Sequence, residues 1–135
     1  MTELSSTLPD RQSLFDLFET TGWNQEYLLT SEEFYSAIEK SLFVVSAYVD
    51  RRLAGFGRVV SDGILHGMIY EMIVHPEYQC RGIGSSILAD LLERCREQGI
   101  RELQLFCASG KEAFYSRHGF KRRPEDSPGM GMTLR

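Results

Sequence analysis

Apolar residues recur every three or four positions in two stretches near the start of the chain. The first stretch predicts a helix over about residues 10–20. The second predicts a helix over about residues 31–40 that begins at Ser31, a residue type favoured at helix starts. The segment between them carries Trp23 and Tyr27 and is expected to be a loop.

From residue 42 the pattern changes to short runs rich in β-branched and aromatic residues. These runs predict three strands over about residues 42–49, 53–61 and 64–75. The connections are short, and the last is Asp62-Gly63, a strong hairpin signal. The three strands are therefore expected to form an antiparallel meander.

After residue 76 the helical spacing returns and predicts a long helix over about residues 82–98, ended by Gly99. The elements expected after it are a strand over about 100–107, a short helix over about 109–117, and further strands at Gly119-Phe120 and about 130–134. A strand that follows such a helix lies parallel to the strand before it, through a right-handed crossover. The expected class is α+β, a mixed and mostly antiparallel sheet with helices on both faces.

Composition narrows the class of protein. A chain of 135 residues suits a single domain over 1–135, and 42% hydrophobic residues are enough to fill its core. A net charge of −4 disfavours nucleic acid as a partner, and no apolar run approaches the length of a membrane span. Three cysteines without CxxC spacing predict neither a disulfide framework nor a metal site. With no leader pattern at its start, the chain is expected to be cytoplasmic.

The segment 74–85 joins the end of the third strand to the start of the long helix, with glycines at 82 and 84. The first N–H groups of a helix have no acceptor within it, and glycine lets a bulky anion approach the main chain. A pyrophosphate suits such a site. A dinucleotide fingerprint would need a third glycine where Ile87 stands, and no Gly-Lys-Ser/Thr occurs. Taken alone, the two glycines also fit a helix start that binds nothing.

Two motifs resemble the GNAT superfamily of N-acetyltransferases. The segment from Gln79 to Gly84 is similar to the acyl-CoA pyrophosphate loop, Gln/Arg-x-x-Gly-x-Gly/Ala. Tyr115, followed by Gly119-Phe120, is similar to the later Tyr-x-x-x-Gly-Phe segment. The resemblance covers about residues 42–120. It implies acetyl-CoA as acyl donor and a sheet whose central parallel strands splay apart.

The resemblance also implies where the donor is held. The main-chain and loop positions concerned are Met72, Ile73, Val74, Gln79, Cys80, Arg81, Gly82, Ile83, Gly84 and Ser85. Many relatives have a cofactor-contacting Asn before the tyrosine helix, but this chain has Ser109, which offers only a hydroxyl or a helix cap. The implied reaction is attack of an amine on the thioester carbonyl. It requires a base, an oxyanion donor such as the amide of Ile73 or Val74, and an acid for the departing thiolate.

Glu71 is the candidate general base, because period-two alternation places it on one face with Ile69 and Ile73. A carboxylate among apolar neighbours suits a base that works through water. Two alternatives stay open: Glu71 pairs with an arginine such as Arg58 on the next strand, or a water chain serves as base. Tyr115 stands at the family's general-acid position, and its alternative role is packing.

The acceptor implied is a small primary amine, with Trp23 and Tyr27 as candidate pocket walls. The main alternative is a non-catalytic acyl-CoA-binding sensor, which would have no use for Glu71 or Tyr115. Another alternative is an acetyltransferase for protein N-termini or lysines. A homodimer also stays open.

Overall fold

The computed structural model describes all 135 residues, which divide into two units, Met1–Leu105 and Phe106–Arg135. The elements of the first unit are β1 (Thr2–Ser5), α1 (Arg11–Glu19), α2 (Asn24–Tyr27), α3 (Ser31–Ile38), β2 (Phe43–Val49), β3 (Arg52–Ser61), β4 (His66–Val74), a 3₁₀ turn (Pro76–Tyr78), α4 (Ile83–Gln98) and β5 (Glu102–Gln104). The second unit contains one helix, α5 (Glu112–Arg117). No helix is both long and apolar enough to span a membrane.

The five strands of the first unit form one sheet in the order β1-β2-β3-β4-β5. Neighbouring strands are antiparallel, except that β4 and β5 are parallel, which confirms the meander and the crossover through α4. The edge strand β1 was not predicted. Three of its four residues are polar and Leu4 is its one apolar residue, so the strand shows no alternation of apolar positions.

Helices cover both faces of this sheet, as the fold class predicts. On one face, α1 and α3 build the apolar core, and the rings of Phe18 and Phe34 stack with centroids 4.1 Å apart. Phe56 of β3 joins that core. The neighbouring glycines of β3 face α4: a Cβ on Gly55 would lie 2.8 Å from Ile87, and a Cβ on Gly57 would lie 3.0 Å from the same side chain. Glycine therefore lets α4 pack very close to β3.

Two predictions about the segment before β2 are wrong. The expected loop contains the short helix α2, which ends at Leu28 in the left-handed conformation. The side chain of Asn24 holds it by hydrogen bonds to the main chain of Leu29, at 2.8 and 3.0 Å. Helix α3 begins at Ser31 as predicted, but the residue that caps it is Thr30 rather than Ser31, because Thr30 and Glu33 form a reciprocal capping box.

The chain after α4 is less regular than predicted. Strand β5 has three residues, because Ile100 still donates its N–H to the end of α4 and the pairing with β4 ends at Gln104. No strand forms over residues 118–135, although strands were expected at Gly119-Phe120 and at 130–134. The side chain of Met132 is 85% exposed. Alternating apolar residues form a strand only where another strand completes their hydrogen bonds.

Candidate active site

A β-bulge interrupts β4 at Glu71. Tyr70 pairs with Arg58 and Ile73 pairs with Phe56, so two residues of β4 oppose Gly57 alone. Glu71 adopts the left-handed conformation, with φ of 50°, which is unusual for a residue other than glycine. The bulge bends β4 just before its last three residues, the proposed site of donor binding.

The bulge changes which side chains share a face. Tyr70 and Glu71 are consecutive, yet both contact Arg58. The guanidinium carbon of Arg58 lies 5.7 Å from the centroid of the Tyr70 ring, and its Nε lies 2.6 Å from the carboxylate of Glu71. Arg58 lies on the face of α1 and α3, and Ile73 belongs to the core of that face. Ile69 pairs with Val59, on the α4 face. The expectation that Glu71 shares a face with both isoleucines is therefore wrong for Ile69, because the bulge breaks the period of two.

Arg58 connects three elements. Its Nε donates to Glu71, and its Nη1 donates to the carbonyl of Ala37 at 3.3 Å and to Oγ of Ser41 at 3.2 Å. The side chains of Arg58 and Glu71 are 15% and 19% exposed, so the pair is largely shielded from water. The ion pair between Glu71 and Arg58, which the sequence analysis gives as an alternative to a role as base, is thus present. The bond uses Oε1 and leaves Oε2 of Glu71 without a hydrogen bond.

Strand β4 continues beyond its pairing with β5. Their pairing ends at Met68, whereas β4 continues to Val74. Met72, which belongs to the bulge, lies in this continuation, and so do Ile73 and Val74, which follow the bulge. The side chain of Gln79 folds back and donates to the carbonyl of Val74 at 3.0 Å, which ties the following loop to the end of the strand.

The loop between β4 and α4 contains two residues in the left-handed conformation, Cys80 with φ of 65° and Gly82 with φ of 79°. Gly82 directly precedes α4, and a Cβ built on it would meet nothing within 4 Å. Ile83, the first residue of α4, is buried in the core. Gly84 and Ser85 complete the first turn, whose N–H groups have no acceptor within the helix. A helix start of this kind can bind an anion.

In the second unit, Tyr115 lies in α5 between two aromatic rings. The centroids of Phe114 and Phe120 are 5.0 and 5.9 Å from that of Tyr115, both edge-on. Burial raises the pKa of Tyr115 above its usual value, and Cys107 acts in the same direction. Ser109 does not cap α5, since the helix begins at Glu112 and Lys111 is the residue before it.

The candidate contacts of the acceptor lie at the two ends of α2. Trp23 directly precedes α2 and Tyr27 ends it, and their side chains are 40% and 63% exposed. No group of three or more His, Cys, Asp or Glu residues is arranged to hold a metal ion. Sequence reasoning did not consider Arg52, whose guanidinium reaches the ring of Tyr78 in the loop. The sequence signal that could have identified Arg52 is its position at the start of β3, beside the end of β4.

Comparisons with known proteins identify the family. The model of the acetyltransferase (GNAT) family matches residues 8–120. An uncharacterized N-acetyltransferase, ycf52 of Pyropia yezoensis, is 26% identical over 121 residues, which cover 87% of this chain and 68% of that protein. The chain thus spans about two thirds of that relative's length.

Solved structures show the same fold. A probable acetyltransferase from Staphylococcus aureus has a TM-score of 0.85 and 24% identity, and the match covers 99% of this chain and 100% of that one. PaiA N-acetyltransferase from Thermoplasma acidophilum, solved in complex with coenzyme A, has a TM-score of 0.74 and 20% identity, with 96% and 94% covered.

These matches define the class of enzyme as an acetyltransferase. The chain belongs to the GNAT acetyltransferase family, as the resemblance of its two motifs predicts. The family uses acetyl-CoA as its acyl donor.

Proposed function

We propose that the protein transfers the acetyl group of acetyl-CoA directly to a small primary amine. The observation that carries the proposal is the start of α4, where an open glycine with left-handed backbone precedes the first turn. It lies beside the end of β4, which runs on past its pairing with β5. A diphosphate and an extended pantetheine arm fit these two features.

In this proposal the donor is held mainly by main-chain groups. The first N–H groups of α4 face its diphosphate, and Gly82 leaves room for it because no side chain stands there. Met72, Ile73 and Val74 offer their main chain to the pantetheine arm, as an extra strand would pair with a sheet edge. The amide of Ile73 or Val74 donates to the oxyanion that forms on the thioester carbonyl.

Glu71 takes the proton from the amine, directly or through water. Its Oε1 is held by Arg58, so Oε2 is the oxygen that remains for an ammonium group or a water molecule. Arg58 is a positioning residue here, since it fixes the carboxylate rather than touching the substrate. The strained backbone of Glu71 supports this role, because such conformations cluster at functional sites.

Tyr115 protonates the departing thiolate. A phenol, whose ordinary pKa is ~10, is protonated at neutral pH, which is the form that an acid must have, and burial raises the pKa of Tyr115 further. The exposed rings of Trp23 and Tyr27 are candidate contacts for a cationic amine. Ser109 and the exposed side chains of Cys80 and Arg81 are the remaining candidate contacts of the donor.

The experiment is a panel of small amines and peptides with acetyl-CoA, followed by thiol release. Binding of coenzyme A is measured separately by calorimetry, in the wild type and in Gly82→Val. The matched control is Gly99→Val at the other end of α4, because Gly99 also has a left-handed backbone, with φ of 86°, and no neighbour within 4 Å. We expect Gly82→Val to weaken binding at least tenfold, with an unchanged circular dichroism spectrum.

Each part of the proposal can fail separately. Absence of coenzyme A binding by the wild type would refute the function, and an unchanged affinity in Gly82→Val would refute the loop assignment. Acetylation of peptides but not of small amines would show that the acceptor is a protein rather than a small amine. Tight binding without any turnover would favour the non-catalytic sensor.

A further inference from the structure

Two arginine side chains meet at the ring of Tyr78, in the loop that precedes α4. The guanidinium carbon of Arg81 lies over the ring at 5.4 Å from its centroid, and that of Arg52 lies over it at 5.7 Å. Tyr78 is buried, so its ring is a fixed support for both cations. The ring therefore gathers two positive charges in the loop before α4, and such a concentration of charge favours an anionic ligand.

Two elements that are distant in the sequence bring these arginines to the same ring. Arg52 is the first residue of β3, at the end of the sheet where Gly55 pairs with Val74. Arg81 precedes Gly82, at which α4 begins. The pair therefore lies beside the helix start, and an anion held by the arginines would be a neighbour of the diphosphate proposed there.

The acidic partner of Arg52 is weakly held. Oε2 of Glu77 lies 3.5 Å from Nη2 of Arg52, and both side chains are 63% exposed. Ion pairs of this kind contribute little, because water and salt screen them. A doubly charged phosphate, which accepts two parallel hydrogen bonds from a guanidinium, competes well with such a carboxylate.

Coenzyme A carries one charged group besides its diphosphate, the phosphate monoester on its ribose. We propose that Arg52 and Arg81, supported by Tyr78, bind this monoester and make the protein select coenzyme A over dephospho-coenzyme A. The inference rests on the proposed function, since it concerns a second part of the same donor. It assigns Arg52 a role in donor specificity.

The experiment measures the affinities of coenzyme A and dephospho-coenzyme A by calorimetry. We expect the wild type to bind coenzyme A at least ~10-fold more tightly, the size of one charge-assisted contact. Arg52→Ala should weaken binding of coenzyme A several-fold and leave dephospho-coenzyme A unchanged. Arg52→Ala combined with Arg81→Ala should bring the two affinities together. Glu77→Gln should change the preference in the opposite direction, because it removes the competing carboxylate.

Three controls separate a local contact from general charge or folding effects. Arg51→Asn removes the neighbouring charge, which does not stack on Tyr78, and asparagine tolerates the left-handed backbone found there. It should keep the preference. Tyr78→Phe retains the ring and should keep the preference too, whereas Tyr78→Leu should reduce it. The wild-type comparison of two ligands needs no variant and is independent of any loss of fold.

The outcomes distinguish this inference from the proposed function. If the wild type binds neither ligand, the proposed function fails. If it binds both equally, or if Arg52→Ala weakens both equally, the donor site stands and the inference about the monoester is overturned.

Discussion

The Glu71 carboxylate and the Nε of Arg58 lie 2.6 Å apart, in a pair that joins the bulge of β4 to the neighbouring strand. The same arginine reaches the end of α3 through the carbonyl of Ala37 and the hydroxyl of Ser41. One side chain therefore connects the candidate base, the bent strand and a helix of the core. The pair thus has a structural role, and in the proposed mechanism it also has a catalytic one.

Replacing Glu71 separates the structural role of the pair from its proposed catalytic role. Glu71→Gln keeps the shape of the side chain and a hydrogen bond to Arg58, but it cannot accept the proton of the amine. We expect kcat to fall ~10²- to 10⁴-fold, the usual contribution of a general base, and the acidic limb of the pH–rate profile to disappear. Arg58→Lys is the control and should keep that limb at reduced activity. A wild-type profile in Glu71→Gln would leave a water chain as the base.

Tyr115→Phe tests the proposed general acid. The phenylalanine ring keeps the edge-on contacts with Phe114 and Phe120, so the helix should remain folded. We expect kcat to fall more than KM rises, because the lost proton transfer belongs to the transition state. Since burial raises the pKa of Tyr115, the wild type should stay active until the pH approaches or exceeds ~10, where a free phenol ionises. Undiminished turnover in the variant would assign Tyr115 to packing alone.

Gly57→Ala tests the close approach of α4 to β3. The added methyl group would lie 2.5 Å from Sδ of Met72 and 3.0 Å from Leu91, so helix or strand must shift. We expect a loss of about 1–3 kcal/mol in the free energy of unfolding, the usual effect of overpacking a core. Gly131→Ala, where the methyl group meets nothing, is the matched control. Chemical denaturation of both variants measures the difference, and equal stability would contradict the observed packing.

Cys80→Gly should stabilise the protein. Cys80 has φ of 65°, and the left-handed conformation costs a residue with a Cβ about 1–2 kcal/mol. Glycine removes most of that cost, although it makes the unfolded chain more flexible, so we expect a net gain of about 0.5–1 kcal/mol. Cys80→Ser removes the thiol but keeps the strain, and it should show no gain. A loss of stability in Cys80→Gly would count against the strained backbone at this position.

Asp62 makes the stability of the β3–β4 connection depend on pH. Its carboxylate accepts hydrogen bonds from the N–H groups of Ile64 and Leu65, at 2.8 and 2.7 Å, which lowers the pKa of Asp62 in the folded protein. The stabilisation by the Asp62 carboxylate is therefore complete above the pKa of the unfolded chain, which is ~4. It is lost as the pH falls through the lower pKa that Asp62 has in the folded protein. Urea unfolding between pH 5 and pH 2 should show a smaller decline for Asp62→Asn than for the wild type. Parallel declines would exclude Asp62 as a source of this dependence.

The helices and the meander could be predicted because their apolar residues repeat at a regular period. The end of α4 at Gly99 and its parallel connection to β5 follow from the same pattern. The bulge at Glu71 could not be predicted, since it adds one residue to β4 without changing the composition of the strand. Its position depends on Arg58 and Gly57 of the neighbouring strand. The meeting of Arg52 and Arg81 at Tyr78 depends in the same way on contacts between segments distant in the chain.

Ile83 is the first residue of α4 and is 3% exposed, and its side chain lies beside Gly55 of the sheet. The first residue of the helix therefore anchors it in the core. Packing of the protein itself therefore fixes the first turn of α4, the turn proposed to bind the donor. In that proposal we expect no segment to fold on binding, so that collision and charge set the rate of association.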